Sequence, residues 1–344
     1  MTTESLTVAL TFNKKKDASP KSGEPEDLYA EFDADETIQG ISKALKSAGH
    51  SVILVEADEK AYSKLKKLKD RIDIVFNIAE GLKGESRESF IPAICELLGI
   101  PYTGSGPLTL ALTLDKARTK EILKYHRIPT PKFQVFNNSS EKLNSNLKFP
   151  LIVKPLREGS SKGIKNNSLV NNENELRCRV GNMIRDYEQP AIVEEFIACR
   201  EFTVGILGND DPRILPIVEI KFNNLPGHMN KFDSYEAKWI YDNPKSEHDP
   251  LICPAKLSKK LESKIKKVCL DAYRVLGCKD WCRIDIRVRS GIPYILELNA
   301  LPGMIPDPKE NSRFPRAAFT AGMGYDDIIN EVLNLALKRY KCAK

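Results

Sequence analysis

The chain lacks the features of a membrane protein and of a nucleic-acid-binding protein. No run approaches about 18 apolar residues, and the N-terminus has no apolar stretch of the kind that marks a signal peptide. Its 53 basic and 47 acidic residues give a net charge of +6, which is too balanced to indicate nucleic acid without a basic patch or a stacking motif. We therefore expect a cytoplasmic protein that binds neither membrane nor nucleic acid.

Ligands for zinc are also few and poorly placed. Eight cysteines in 344 residues, without a signal peptide, indicate reduced thiols. Cys278 and Cys282 form a lone C-x₃-C pair, and the four histidines are scattered. The Walker pattern G-x-x-x-x-G-K-[ST] is absent, so a nucleotide site here must take another form.

What the chain does contain is a predicted hairpin rich in oxygen donors. Apolar and polar residues alternate over residues 281–300 around a Ser-Gly turn. Because side chains alternate faces along a strand, Arg283 and Asp285 share one face, as do Glu297 and Asn299. Two carboxylates and an amide oxygen suit Mg²⁺. Taken alone, the pattern fits a hairpin with a solvated charged face equally well.

Two further segments have the composition of a nucleotide site. An apolar run ends at Lys154 and precedes a Gly- and Ser-rich loop, residues 157–163, whose backbone amides can approach phosphate oxygens. Acidic and apolar residues then alternate over residues 194–204, which suits an apolar slot for a base with polar groups at its edge. Each segment alone is also typical of a flexible turn or a solvated strand edge.

Seven stretches, taken in order, resemble the ATP-grasp superfamily and, within it, the D-alanine–D-alanine ligase family. The resemblance runs from about Ile72 to about Met304. The stretches are LLGIPYTGSG (97–106), LDKARTKEIL (114–123), KPLREGSSKG (154–163), VEEF with REFTVGILG (193–208), YEAKW (235–239), CRIDI (282–286) and ELNALPGM (297–304). Each match is modest, but seven in the family's order exceed what chance would give.

The resemblance implies a role for each matching position. ATP would be bound by Lys116, Lys154, Ser160, Ser161, Glu194, Glu195, Ile197, Glu201 and Lys238. Two Mg²⁺ ions, or Mn²⁺ in their place, would be held by Asp285, Glu297 and Asn299. Arg283 and the backbone at Gly303 would stabilise an oxyanion, with Ser160 and Lys238 as further catalytic residues.

The implied reaction is ATP-dependent ligation of a carboxylate to an amine through an acyl phosphate. Its substrates would be small amino acids or peptides. A homodimer is expected only because members of the family tend to form dimers. The alternative is a non-ligating ATP-binding module that acts as a regulator or scaffold. Arg283 and Lys238 favour the ligase, because a pure binder does not need an arginine that stabilises an oxyanion.

The chain departs from the family where the amino acids are recognised. A charged insert, residues 13–36, replaces a short Gly-rich turn and the Ser and Glu that follow it. Glu80 stands where the family has His, Trp239 where it has Tyr, and Pro308 where it has a carboxylate-binding Ser. We therefore expect the same reaction type with an altered amino-acid or peptide substrate.

Some of the replacements have chemistry of their own. Arg313 and Arg316 are candidates for gripping a carboxylate. Candidates for binding a substrate ammonium or a cationic side chain are Glu80, Glu85 and the insert's Glu24, Glu26, Asp27, Glu31 and Asp33. The ordinary place of any one such charge is the solvated surface.

Length and periodicity predict an α/β fold in several parts. The first ~110 residues alternate strand and helix, which predicts a parallel sheet. The stretch 107–128 reads as helical and leads to a boundary at Pro129–Pro131. With the resemblance, we expect an ATP-grasp fold: an N-terminal parallel α/β (pre-ATP-grasp) domain, and two α+β subdomains that clasp ATP. Their expected bounds are 1–110, 111–207 and, with the metal site, 208–344.

Overall fold

The structure is a computed structural model that describes residues 5–15, 25–81, 83–242, 249–310 and 312–342. Glu24, one of the acidic candidates in the insert, lies outside these residues. In the part described, no helix is both long and apolar enough to cross a lipid bilayer.

The N-terminal residues form a parallel sheet with helices, as the alternation predicts. Its elements are β1 (Thr7–Phe12), α1 (Asp35–Ser47), β2 (Ser51–Glu56), α2 (Ala61–Leu68), β3 (Ile74–Asn77) and α3 (Phe90–Leu98). The apolar β1 lies between β2 and β3 and pairs with both in parallel. Glu80 follows β3 at the carboxyl edge of this sheet, which is the edge where open α/β sheets bind ligands.

The stretch 107–128 is helical, but as two helices, α4 (Pro107–Leu114) and α5 (Lys116–Tyr125). Asp115 separates them with extended backbone and caps α5, where its carboxylate accepts a hydrogen bond from the Arg118 amide at 3.0 Å. The break makes Lys116 the first residue of α5.

A four-stranded antiparallel sheet follows, in the order β4-β7-β5-β6. Its elements are β4 (Phe133–Phe136), β5 (Leu151–Pro155), β6 (Leu169–Val170), α6 (Glu173–Tyr187) and β7 (Ala191–Glu195). Leu176, Val180 and Met183 of α6 are fully buried against the apolar residues of β5 and β7. The Gly- and Ser-rich loop leaves the end of β5.

The C-terminal residues form a six-stranded sheet in the order β11-β10-β8-β12-β13, with β9 paired to β8. Its elements are β8 (Glu201–Leu207), β9 (Arg213–Ile214), β10 (Val218–Ile220), β11 (Leu251–Ile252), α7 (Lys259–Val275), β12 (Trp281–Arg289), β13 (Ile292–Asn299), α8 (Arg313–Thr320) and α9 (Tyr325–Cys342). The predicted hairpin is confirmed as β12–β13. Ser290 and Gly291 turn it with φ angles of 52° and 71°, as a two-residue turn of this type requires.

The domain bounds remain a prediction, but one strand bears on them. The predicted bounds place β8 in the central unit, but it pairs with β10 and β12 of the six-stranded sheet. The chain thus crosses from the four-stranded to the six-stranded sheet in the segment between β7 and β8, residues 196–200.

One apolar core joins the N-terminal sheet to the six-stranded sheet. The fully buried Trp281 ring packs edge-on against Phe76 of β3 and Phe314 of α8, each with ring centroids 5.9 Å apart. α9 lies along α1, and the Asn330 amide donates to the Ala44 carbonyl at 3.0 Å. This packing holds the carboxyl edge of the N-terminal sheet against the hairpin.

Candidate active site

The hairpin register places the predicted oxygen donors together. Asp285 pairs with Glu297, and Arg283 pairs with Asn299, so each pair projects its side chains on one face. Arg283 binds Asp285 at 2.9 Å, and Asn299 Nδ2 donates to Asp285 Oδ2 at 3.2 Å. Burial alone would raise the pKa of Asp285, but Arg283 and Arg313 lower it to about 2. Asp285 is therefore an anion.

This donor set fits a hard divalent cation that keeps part of its own shell. Asp285, Glu297 and Asn299 offer two carboxylates and an amide oxygen at the end of one hairpin. Nowhere in the described residues do three His, Cys, Asp or Glu side chains converge as a metal cluster. The hairpin alone thus supplies few ligands, which is typical of Mg²⁺ completed by water and substrate phosphate.

A cavity lies between the four-stranded and six-stranded sheets; we call it the inter-sheet cavity. Its apolar lining is Ile152, Ile164, Phe196, Ile197, Phe232 and Leu296. The predicted nucleotide residues that line it are Lys154, Ser161, Glu194, Glu195, Ile197 and Glu201, together with the metal candidates Asp285 and Glu297. A mostly apolar slot with a few fixed polar groups is suited to a planar base.

The charges of the inter-sheet cavity are held in pairs. The fully buried Glu194 binds Lys154 at 2.9 Å and Lys120 at 3.1 Å. Burial would raise the pKa of Glu194, but the two lysines lower it to about 2. Glu201 binds Arg287 at 2.8 Å, and Glu195 binds an arginine of β12 at 2.6 Å.

Sequence reasoning missed Lys120 and Arg287, although periodicity could have found both. Lys120 follows Lys116 by one helical turn on α5 and therefore shares its face. Arg287 follows Asp285 by two residues on β12 and therefore shares its face.

A second cavity, which we call the reaction cavity, shares Glu297 with the first. The predicted residues that line it are Glu80, Lys116, Ser160, Lys238, Arg283, Glu297, Asn299, Gly303 and Arg313. Glu297 lies 3.8 Å from Lys116 Nζ. Burial, then Arg313 and Arg283, lower the pKa of Lys238 to about 8. Four cationic side chains thus line the cavity together with Glu297: those of Lys116, Lys238, Arg283 and Arg313.

The Arg313 guanidinium suits an anionic group in the reaction cavity. Arg313 binds Asp233 at 2.6 Å, but its buried Nε has no hydrogen-bond partner within the described residues. The Trp239 indole donates to the Ser160 carbonyl at 3.1 Å and so ties the turn Ala237–Tyr241 to the Gly- and Ser-rich loop. The turn and the Gly- and Ser-rich loop therefore meet at the reaction cavity.

Comparison with known proteins shows the family of the chain. Residues 122–334 match the family model for the D-ala D-ala ligase C-terminus. The D-alanine–D-alanine ligase of Pelotomaculum thermopropionicum is 33% identical over 313 residues, which cover 88% of this chain and 91% of that protein. The chain belongs to the D-alanine–D-alanine ligase family.

Two further proteins are similar to the chain. An uncharacterized Sinorhizobium fredii protein, y4sG, is 36% identical over 304 residues, 86% of each chain. The D-alanine–D-alanine ligase from Bacillus anthracis, solved in complex with ATP, has a TM-score of 0.73 at 23% identity, over 99% of this chain and 100% of that one. That identity shows the fold alone, and it is the ATP-grasp fold that the sequence predicted.

The charged insert gives this member of the D-alanine–D-alanine ligase family an unexpected contact. Glu31 accepts a hydrogen bond from the Gly159 amide and binds Arg87 at 2.9 Å. Asp27 accepts from the Gly163 amide at 2.7 Å and from the Tyr187 hydroxyl at 2.9 Å. The Gly159 and Gly163 amides lie in the loop that the sequence predicts to bind phosphate. In the structure they donate instead to carboxylates of the insert.

Glycine at position 159 is what lets this contact form. A Cβ there would lie 2.8 Å from Glu31 Oε1. Burial would raise the pKa of Glu31, but Arg87 and Lys162 lower it to about 2, so it binds as an anion. Ser160 and Ser161 follow with φ angles of 48° and 61°, a left-handed backbone that serine adopts only when its surroundings hold it there.

Some predicted residues are not brought to the site. Arg316 binds Asp249, and it is not among the residues that line either cavity. Glu85 binds Arg157 with its side chain exposed, and Glu26 is likewise exposed beside Lys165. Sequence reasoning also missed Glu88, which lines the reaction cavity beside Glu80 and Asp33. No periodic pattern marks Glu88, since it lies in a single helical turn, Arg87–Ser89.

Proposed function

We propose that the protein is an ATP-dependent carboxylate–amine ligase that forms a peptide bond through an acyl phosphate. The observation that carries this proposal is the meeting of opposite charges at Glu297, the residue shared by the two cavities. Arg283, Lys238 and Arg313 face that point from the reaction cavity. Such an arrangement suits a phosphoryl group delivered from one cavity to a carboxylate held in the other.

ATP would occupy the inter-sheet cavity. Ile152, Ile197 and Phe232 offer an apolar slot for adenine, and Glu201 lies at its edge for ribose hydroxyls. Lys154 lines the inter-sheet cavity and Lys116 lines the reaction cavity. The two lysines would therefore hold the phosphates close to Glu297, which borders both cavities. The Bacillus anthracis ligase of the same fold was solved in complex with ATP, which supports ATP as the nucleotide.

Asp285, Glu297 and Asn299 would hold Mg²⁺ as two ions. Bound there, Mg²⁺ would neutralise the charge that develops on the transferring phosphoryl group. Arg283 serves two purposes in this arrangement, because it keeps Asp285 ionised and also faces the reaction cavity.

The reaction then has two steps. A carboxylate oxygen of the first substrate attacks the γ-phosphorus, the bond from that phosphorus to the β–γ bridging oxygen breaks, and ADP leaves. The amine nitrogen of the second substrate attacks the acyl carbon, phosphate leaves with the carboxylate-derived oxygen, and one proton is released. Arg283 and the backbone at Gly303, which both line the reaction cavity, stabilise the tetrahedral oxyanion between these events. The Trp239–Ser160 contact joins two segments that would close over the bound substrates and keep water from the acyl phosphate.

The substrates proposed are small amino acids or peptides other than a D-alanine pair. Glu80 faces the cavity where the family has His, and the contacts of Glu31 and Asp27 replace the family's short turn. Arg313, with its unpartnered Nε, is the better placed arginine for a substrate carboxylate. Arg316 would first have to leave Asp249.

Phosphate release from ATP and Mg²⁺ tests the proposal, with D- and L-amino acids supplied singly and in pairs and products identified by mass spectrometry. We expect release that depends on an added amino acid, and a peptide product. ATP binding without release under any pair would instead support the non-ligating module. Efficient synthesis of D-alanyl-D-alanine, with other amino acids ignored, would contradict the altered substrate.

A further inference from the structure

One wall of the reaction cavity carries more carboxylates than the protein neutralises. Glu31 and Glu158 are matched by Arg87 and Lys162, with separations of 2.5 to 3.4 Å. The remaining carboxylates on this wall are Asp33, Glu80 and Glu88. Within the described residues, none of these three carboxyl groups has a hydrogen bond or an ion pair. We call these three the carboxylate end of the cavity.

Glu88 is the most buried of the three carboxylates. Its residue is only 9% exposed, yet its side chain lines the cavity without a partner in the described chain. A buried carboxylate without a partner is costly unless a ligand supplies the missing charge. Burial raises the pKa of Glu88 to about 7, because it outweighs the opposing charges of Arg87 and Lys116, and burial raises that of Asp33 to about 8.

The arrangement does not fit a metal ion. In the described residues, no three carboxylates converge closely enough to hold one. Groups that share a wall without converging suit an extended organic cation, whose charges are several bonds apart.

The two ends of the reaction cavity also carry opposite charges. The charges that act most strongly on Glu80 are Glu88, Glu31 and Asp33. Those that act most strongly on Lys238 are Arg313 and Arg283. A substrate lying along the cavity would therefore place its carboxylate at the arginines and its positive charge at the carboxylate end.

We propose that the carboxylate end binds the cationic side chain of a basic amino acid, which is one of the two substrates joined by the ligase. This inference rests on the proposed function. An α-ammonium alone would match one of the three carboxylates, and a neutral side chain would leave the other two without a counter-charge. A lysine- or arginine-like side chain supplies the second positive charge.

Competing pairs of amino acids test this assignment. Lysine and norleucine have the same carbon chain, but only lysine carries a terminal ammonium. Each is assayed in both chiralities for phosphate release. Each is also tested by calorimetry for binding in the presence of Mg²⁺ and a non-hydrolysable ATP analogue. We expect kcat/KM for the basic amino acid to exceed that for norleucine at least about tenfold. Equal use of the two, or a preference for norleucine, would overturn the inference while leaving the ligase intact.

The variants Glu88→Gln and Glu80→Gln locate the effect. Each should reduce the preference for the basic amino acid by about tenfold and leave the KM for ATP unchanged. The control is Glu59→Gln, which changes an exposed glutamate that lines neither cavity. A preference that survives both cavity substitutions would overturn the assignment.

Binding separates this inference from the proposed function. If the basic amino acid binds in calorimetry, and Glu88→Gln weakens that binding, but no phosphate is ever released, the carboxylate end stands and the ligase proposal fails. If phosphate is released with neutral amino acids only, the ligase stands and the carboxylate end fails. If no basic amino acid binds or reacts, the assignment is wrong.

Discussion

Asp285 lies directly opposite Glu297 across the antiparallel pair β12–β13, so both carboxylates project from the same face of the hairpin. Glu297 borders both cavities, whereas Asp285 borders only the inter-sheet cavity. The pair therefore marks the point at which a nucleotide in one cavity would meet a substrate in the other.

Replacing Glu297 by Gln should abolish turnover without unfolding the protein. The amide keeps the shape of the side chain but removes one of the two charges offered to Mg²⁺, so we expect phosphate release to fall roughly 100-fold or more. Glu262→Gln is the control, because it changes a glutamate of α7 that pairs with Lys266 and lines neither cavity. Normal activity of the Glu297 variant, with an unchanged melting temperature in both, would remove the hairpin from the mechanism.

Replacing Glu194 by Gln should destabilise the fold. The change leaves the buried Lys120 and Lys154 without their shared counter-charge, and we expect a loss of about 3–5 kcal/mol in the free energy of unfolding. Glu195→Gln, in the same strand, breaks a pair with a partly exposed arginine and should cost only about 0–1 kcal/mol. Urea unfolding compares them, and equal midpoints would contradict the role of the buried pair.

The contact between the charged insert and the Gly- and Ser-rich loop should protect both segments. Asp27→Ala removes the acceptor of the Gly163 amide and of Tyr187, whereas Glu26→Ala removes an exposed carboxylate one residue earlier. We expect faster proteolysis near residue 27 and faster amide exchange at Gly163 in the first variant only. Identical behaviour of the two would show that the contact does not hold the loop.

The pH dependence of stability should reveal the unpaired Glu88. Burial raises its pKa from 4.5 to about 7, so the unfolded chain loses this proton before the folded one does. The stability that Glu88 contributes to the fold is therefore fully present below its pKa in the unfolded chain. It is lost as pH rises through its pKa in the folded protein. Glu88→Gln should be more stable than the parent protein at pH 8, on the order of 1–3 kcal/mol, and the difference should vanish near pH 4.

The opposite trend is expected for Glu194, whose folded pKa of about 2 lies below its usual value of 4.5. Its stabilisation is present above the unfolded pKa and is lost as pH falls toward 2.

Thermal melts of the parent protein and of Glu88→Gln between pH 4 and 8 test the direction of the effect predicted for Glu88. A variant that is less stable than its parent at pH 8 would contradict an unpaired carboxylate.

Sequence predicted those parts of the site that depend on local periodicity. The alternation in β12 and β13 placed Asp285 and Glu297 correctly, because a strand fixes which residues share a face. It could not predict that Glu31 would bind the Gly159 amide, since 128 positions separate the two and no pattern links them. Nor could it show that Arg316 binds Asp249 while Glu88 lines the cavity, because tertiary packing decides which charged side chains meet.

Transfer of ¹⁸O from substrate to phosphate tests the central claim most directly. The amino-acid substrate identified by phosphate release is labelled with ¹⁸O in its carboxylate, and the phosphate formed is analysed by mass spectrometry. An acyl-phosphate ligase moves one carboxylate oxygen to phosphate, so we expect one ¹⁸O atom per phosphate released. Phosphate without ¹⁸O would mean that the carboxylate never attacks ATP, and it would contradict the proposed mechanism.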